Sequence, residues 1–192
     1  MKTYSQKISE VARIAGGAYP MLPYHNFQHA LEVWCASREY GMFNGLEEKD
    51  RFLLESAALL HDVVYVVNAS DNEEKSAKFA RKWLPMLGYH SNDIERISRL
   101  ILATKWPTNP QNLLEEIICD SDLDNLGRLD FFEKSNNLLL EWGIQNRREW
   151  YERQLGFLEN NQYYTYWAKK LREPGKQRNI QKLKQLQEVQ KC

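Results

Sequence analysis

The sequence predicts an all-α fold, a helical bundle with a helical C-terminal extension, on three observations. Apolar residues recur at three- and four-residue intervals through most of the 192-residue chain. No segment shows the sustained alternation of a half-buried strand, and the lone Asn44-Gly45 lies between helical patterns. Glycine and proline number only 9 and 6, too few for a turn-dense all-β chain. The clearest helical patterns run over 31–41, 46–65, 73–87 and 93–105. Asn44 with Glu47, Ser70 with Glu73, and Asn92 with Glu95 fit a cap followed three positions on by a carboxylate. Asn109-Pro110 fits a cap with proline in the first turn, and Gly41, Gly88 and Gly127 fall where helices would stop. At the usual length of about 11–12 residues, about seven to ten helices are expected. No repeat of fixed period suggests a solenoid.

Composition narrows the class. The chain carries 26 basic and 26 acidic residues, so its formal charge is zero, which argues against a nucleic-acid binder driven by bulk charge. Residues are 43% hydrophobic and 12% aromatic, enough for a real core. Cys35, Cys119 and Cys192 are far apart with no CxxC pair, which excludes a zinc ribbon and favours a reducing compartment. The N-terminal residues lack the apolar core of a signal peptide, and the most apolar stretch, 52–67, is interrupted by Glu55, His61 and Asp62. A soluble, cytoplasmic protein without a membrane span is expected. One domain over 1–170 and a basic C-terminal helix over 171–192 is the expected division, with the chain more polar from 141 onward.

Three segments carry candidate chemistry. In AALLHDVVYVV, residues 57–67, His61 and Asp62 are adjacent ionisable groups in the most apolar helical pattern of the chain. A charge buried there needs a cation or hydrogen-bond donors, so either a divalent metal or a satisfied core pair fits. In PYHNFQHALEV, residues 23–33, His25 and His29 share a helical face if the helix begins near Asn26. In EEIICDSDLDNLG, residues 115–127, Asp120, Asp122 and Asp124 punctuate an apolar segment. Residues 110–130 hold six acids against Arg128, a local charge of −5, which fits a cation site or a solvated helix end. The spacing lacks the glycine and final glutamate of an EF-hand. The remaining histidine, His90, sits in a turn and is expected to face solvent.

Together these segments resemble the HD-domain superfamily of metal-dependent phosphohydrolases, whose pattern is a His, an adjacent His-Asp and a distant Asp on successive helices. The matching positions are His29, His61, Asp62 and Asp122. YHNFQHALEV is similar to the YHNxxHAxxV stretch of class I cyclic-nucleotide phosphodiesterases, and DNEEKSAKFA, ILATKWPTNP and CDSDLDNLGRLDFF are similar to small bacterial HD proteins. The resemblance covers roughly residues 20–170. It implies that these four residues hold one divalent ion (Mn, Mg, Fe, Co, Ni or Zn), with positions left open for water and a phosphate oxygen. It implies attack of a metal-bound water on a phosphomonoester or phosphodiester of a nucleotide, with Asp62 orienting or deprotonating the water. His25 matches the histidine that protonates the leaving alkoxide, a role suited to an imidazole. Glu73 is a candidate outer carboxylate, and Lys75, Lys105 and Arg128 are candidate contacts to substrate phosphate.

The two-metal branches carry further histidines between the His-Asp pair and the last Asp, where this chain has only His90. One ion is therefore expected. A cyclic-nucleotide phosphodiesterase and a non-catalytic module that binds a nucleotide and signals are the alternatives. Residues 142–167 contain eight aromatics that either stack on a nucleobase or pack against the bundle. Residues 166–192 hold eight basic residues against Glu173 and Glu188, and a helix from Pro174 would align Ile180, Leu183, Leu186 and Val189. That helix docks on the body, pairs with another copy in a homo-oligomer, or meets an acidic partner.

Overall fold

The computed structural model describes residues 2–189, and Cys192 lies outside them. Nine α-helices and no strand are present among the described residues: α1 (Tyr4–Ala18), α2 (Phe27–Phe43), α3 (Glu48–Leu60), α4 (Asn72–Trp83), α5 (Ser91–Ala103), α6 (Leu113–Asp122), α7 (Phe131–Glu141), α8 (Arg147–Asn160) and α9 (Tyr166–Val189). Short 3-10 turns follow α4 at Leu84–Leu87 and α6 at Asp124–Gly127. The fold is the expected all-α bundle. Helix α3 occupies its centre and packs on α1, α2, α5 and α6. Its sequence explains this: Phe52, Leu53, Leu54 and the run Ala57–Leu60 leave no polar face over the last turns, so the helix must be enclosed on all sides. None of the described helices is long and apolar enough to cross a membrane.

Several helix ends differ from the sequence expectation. Asn44 closes α2 rather than opening α3, whose N-cap is Glu47. Gly41 does not end α2 but lies inside it, where an added Cβ would make ordinary contacts of 3.4 Å with Arg51 and 3.5 Å with Leu54. Helix α4 begins after Asp71, not at Ser70, and Asn72 instead ties the preceding loop by bonding both backbone groups of Val66. Asn92 and Glu95 lie within α5, where Glu95 pairs with Arg81. Helix α6 starts at Leu113 because Asn112, rather than Asn109, accepts the Glu115 amide at 3.2 Å.

Pro174 does not begin the last helix but lies inside it. The true start is set by Asp120, which accepts the amides of Tyr164 and Thr165 at 2.7 and 2.8 Å, and by Thr165 Oγ1, which accepts the Ala168 amide. The expected boundary at 170/171 therefore falls within α9, and Ile180 and Leu183 of the basic stretch join the core. Docking on the body is what this helix does.

Asp124 joins three elements here. Tyr40 Oη of α2 donates to its Oδ1 at 2.5 Å, and Arg172 Nε of α9 donates to the same oxygen at 2.6 Å. Tyr40 is fully buried, so its hydroxyl has no water to fall back on. Tyr40→Phe is expected to lower stability by about 1–3 kcal/mol. At about 2–4 °C of Tm per kcal/mol for a chain of this size, circular dichroism melting resolves the loss; an unchanged Tm would contradict the role given to this bond.

Candidate metal centre and its cavity

Local capping sets the first ligand. Asn26 accepts the His29 amide at 3.1 Å and donates from Nδ2 to Leu22 O at 2.8 Å, fixing His29 in the first turn of α2. The second pair is not inside α3 but at its end: the helix closes at Leu60, His61 keeps helical backbone angles, and Asp62 follows in the turn. This placement lets both neighbouring side chains reach the same point. Asp122 is the last residue of α6.

The donor atoms converge. His29 Nε2 lies 3.3 Å from His61 Nε2, and Asp122 Oδ1 lies 3.2 and 3.3 Å from these two nitrogens. Asp62 Oδ2 stands 3.3 Å from His61 Nε2 and 3.9 Å from His29 Nε2. His61 Nδ1 donates to Ala58 O at 2.9 Å, which leaves the lone pair of Nε2 directed at the cluster. Burial pushes the His29 imidazole below its ordinary pKa. Burial acts the same way on His61, but Asp62 and Asp122 outweigh it and raise that group well above the usual range. Burial would raise the Asp122 carboxyl, yet His61 and His29 hold it well below the carboxylate range, and His61 does the same for Asp62. The two carboxylates thus call for positive charge where the imidazole lone pairs point. A divalent ion supplies it, and a set of two nitrogens and two oxygens suits such an ion without selecting one metal.

Asp62 and Asp122 of the cluster line a cavity of about 390 Å³, with His29 and His61 buried behind them. His25 lines it too. Its ring stacks on Tyr65 with centroids 3.6 Å apart and planes 12° apart. Its Nδ1 is 2.5 Å from Glu141 Oε1, while its Nε2 faces Asp62 Oδ2 at 3.9 Å. Glu141 also accepts the Tyr24 and His25 amides, both at 2.9 Å, so one buried carboxylate fixes the whole turn before α2. Glu73 lines the cavity, and burial raises its carboxyl pKa.

The other candidate residues lie elsewhere. Lys75 pairs with Asp71 at 2.7 Å and Lys105 with Glu74 at 2.6 Å, both on the exposed surface. Arg128 is taken up by Asp130, Glu32 and Asp124. None of these three lines the cavity. Its basic residues are Lys134, whose Nζ is 2.6 Å from Glu32, and Arg153 at the N-terminal half of α8. Asp120 and Asp124 serve α9, so only Asp122 of the acidic segment reaches the cluster. His90 is exposed, as expected. Glu141 escaped the sequence reading because its partner His25 lies 116 residues away. The aromatic stretch is divided: Trp150 and Tyr163 are core, whereas Trp142 and Phe157 line the cavity.

An all-α bundle that brings His29, His61-Asp62 and Asp122 from α2, the end of α3 and the end of α6 to one point defines a helical domain with a candidate metal-binding group. The HD domain family model matches residues 26–125, more than half of the chain, and the chain belongs to the HD-domain family. Its fold is similar to that of Bacillus subtilis YpgQ in complex with ADP, with a TM-score of 0.74, 16% identity and coverage of 98% of this chain and 97% of that one. The Lin1889 protein of Listeria innocua gives a TM-score of 0.66 at 20% identity, over 95% of this chain and 96% of that one. A predicted HD superfamily hydrolase from an uncultured Thermotogales bacterium gives 0.62 at 21% identity, over 94% and 89%. No curated protein sequence matches the chain.

Proposed function

We propose that this protein is a metal-dependent phosphohydrolase that cleaves a phosphomonoester or phosphodiester of a nucleotide. The observation that carries this reading is the ligand cluster opening into a cavity that also holds a tethered histidine, His25. The ADP bound by the similarly folded YpgQ supports the nucleotide part. His29, His61, Asp62 and Asp122 would hold the ion, which when bound supplies Lewis-acid stabilisation of phosphoryl charge and a more acidic water. Asp62 orients the attacking water toward phosphorus and takes up the proton that the water loses. As the new P–O bond forms and the ester P–O bond breaks, His25 passes a proton from Nε2 to the leaving oxygen. Glu141 accepts from Nδ1 and Tyr65 stacks on the ring, so the imidazole is held in the geometry that this transfer needs. Lys134, paired with Glu32, and Arg153, paired with Glu149, line the walls that face the substrate and are the basic groups within its reach.

Metal-loaded protein is expected to release phosphate from at least one member of a panel of nucleoside mono-, di- and triphosphates and cyclic nucleotides. His25→Ala is expected to retain its metal and lose at least about 10²-fold in kcat. Unchanged kcat would remove His25 from the mechanism. Absence of release from the whole panel would favour a nucleotide-binding module instead.

A further inference from the structure

We propose that a second cavity, of about 560 Å³, binds a small organic ammonium ion, which Glu55 anchors while its apolar body lies between α1, α2 and α3. This cavity shares no lining residue with the one at the metal centre. Leu31 and Leu59 line it, each two positions from a ligand histidine and so about 200° round its helix. The two sites therefore back onto each other across α2 and α3. The volume is that of a small-molecule site.

The charge on the floor of this cavity is negative. The Glu55 side chain is 17% exposed, whereas that of Arg38 at the rim is 51% exposed. Arg51 is spent on the α2–α3 loop, donating to Leu46 O at 2.6 Å. Glu55 Oε2 accepts from Trp34 Nε1 at 2.8 Å, but Oε1 meets Arg38 Nε at 3.7 Å, longer than a hydrogen bond. Burial raises the Glu55 carboxyl above its ordinary pKa, although Trp34, Arg38 and Arg51 all act to lower it. The carboxylate is thus held but incompletely compensated, a state that a cation relieves. Arg38 shows what the seat accepts. Its guanidinium lies over the Trp34 ring, 5.0 Å from the centroid, on the side that meets Glu55. A ligand ammonium between the same two groups makes the same cation–π contact and comes within hydrogen-bond distance of Oε1, while Arg38 swings to solvent. The apolar body then has Ile8, Leu31, Phe52 and Leu59 for walls. Phe52 stacks on both Tyr4 and Tyr89, with centroids 4.3 and 4.9 Å away, so its wall is formed before a ligand arrives.

The test titrates three probes that share a phenyl body and differ in charge: phenethylamine, phenethyl alcohol and hydrocinnamate. In proton–nitrogen correlation spectra of the full chain, the Trp34 indole N–H signal, assigned by its loss in Trp34→Phe, reports binding. The amine is expected to bind roughly tenfold or more tighter than the alcohol, and hydrocinnamate to leave the signal unmoved. Glu55→Gln, which keeps an acceptor for Trp34, should abolish the margin between amine and alcohol. Arg38→Ala should tighten the amine several-fold, because no guanidinium has to be displaced; a site built for an anion would weaken instead. Both variants should keep wild-type metal content and phosphate release, so the fate of this site is read separately from the catalytic one. If Glu55→Gln fails to fold, the sign of the Arg38→Ala effect decides. Equal binding of amine and alcohol, a margin that survives Glu55→Gln, weaker amine binding in Arg38→Ala, a preference for hydrocinnamate, or no shift with any probe overturns the proposal.

Discussion

Asp122→Ala is expected to strip the protein of its metal and with it all phosphate release. The wild type should purify with about one divalent ion per chain, as a site of this ligand number implies. Asp122 Oδ1 is the oxygen that bridges the two imidazole nitrogens, at 3.2 and 3.3 Å, so its loss removes both a ligand and the charge that orders the others. The affinity loss should exceed the roughly 10–100-fold that follows removal of an outer partner alone. Elemental analysis of dialysed protein reads the result directly. Asp120→Asn is the control: two positions earlier on α6, its oxygens serve Tyr164 and Thr165, so metal content should stay at the wild-type level. Full metal in Asp122→Ala would sink the ligand assignment, and loss from Asp120→Asn alone would show that the segment had been read in the wrong register.

Why Asp122 and not its neighbours could not be seen in local sequence follows from where their partners sit. Asp120, Asp122 and Asp124 alternate identically along 115–127, and composition treats them alike. Asp120 is claimed by residues 44 and 45 positions downstream, and Asp124 by Tyr40, 84 positions upstream, and Arg172. Such long-range contacts leave no local trace, and the family resemblance was needed to single out Asp122. Position 29 is the opposite case. The sequence suggests a helix beginning near Asn26, and the structure makes Asn26 the cap that fixes His29 three residues on while leaving His25 in the turn before the helix. Cap signals failed elsewhere because Asn, Ser and Glu satisfy the pattern in several frames, while burial of the following helix selects one. The all-α class was robust for the converse reason: helical periodicity repeats in every segment, so single misplaced ends do not alter it.

The zero net charge also resolves into structure. The acidic segment and the basic C-terminal stretch are not two independent faces, because Arg172 pairs with Asp124 at 2.6 Å where α9 crosses the turn after α6. Part of what looked like a partner surface is internal neutralisation. Lys184 pairs likewise with Glu159 of α8 at 2.8 Å. Lys169 and Lys170 remain on the outer side of α9.

That same crossing yields the largest stability effect expected in the molecule. Gly175→Ala should destabilise the fold by about 3 kcal/mol or more, at the upper end of what overpacking costs. A Cβ on Gly175 would lie 1.8 Å from the carbonyl oxygen of Gly127, and one on Gly127 would lie 2.2 Å from that of Arg172. Both obstacles are backbone, so no side-chain rotation relieves them; α9 or the Asp124–Gly127 turn must move. The turn begins two residues after Asp122, so the displacement is also transmitted toward the ligand cluster. Gly175→Ala is therefore expected to combine a fall in Tm of roughly 6–12 °C with weakened metal retention. Gly156→Ala separates this from any general effect of filling a helical glycine. Gly156 lies within α8 with nothing within 4 Å of an added Cβ, so alanine there should stabilise by about 0.4–1 kcal/mol. Equal and small Tm shifts in the two variants would mean that α9 does not cross the turn at backbone contact, and that the two glycines are not what brings the acidic and basic segments together.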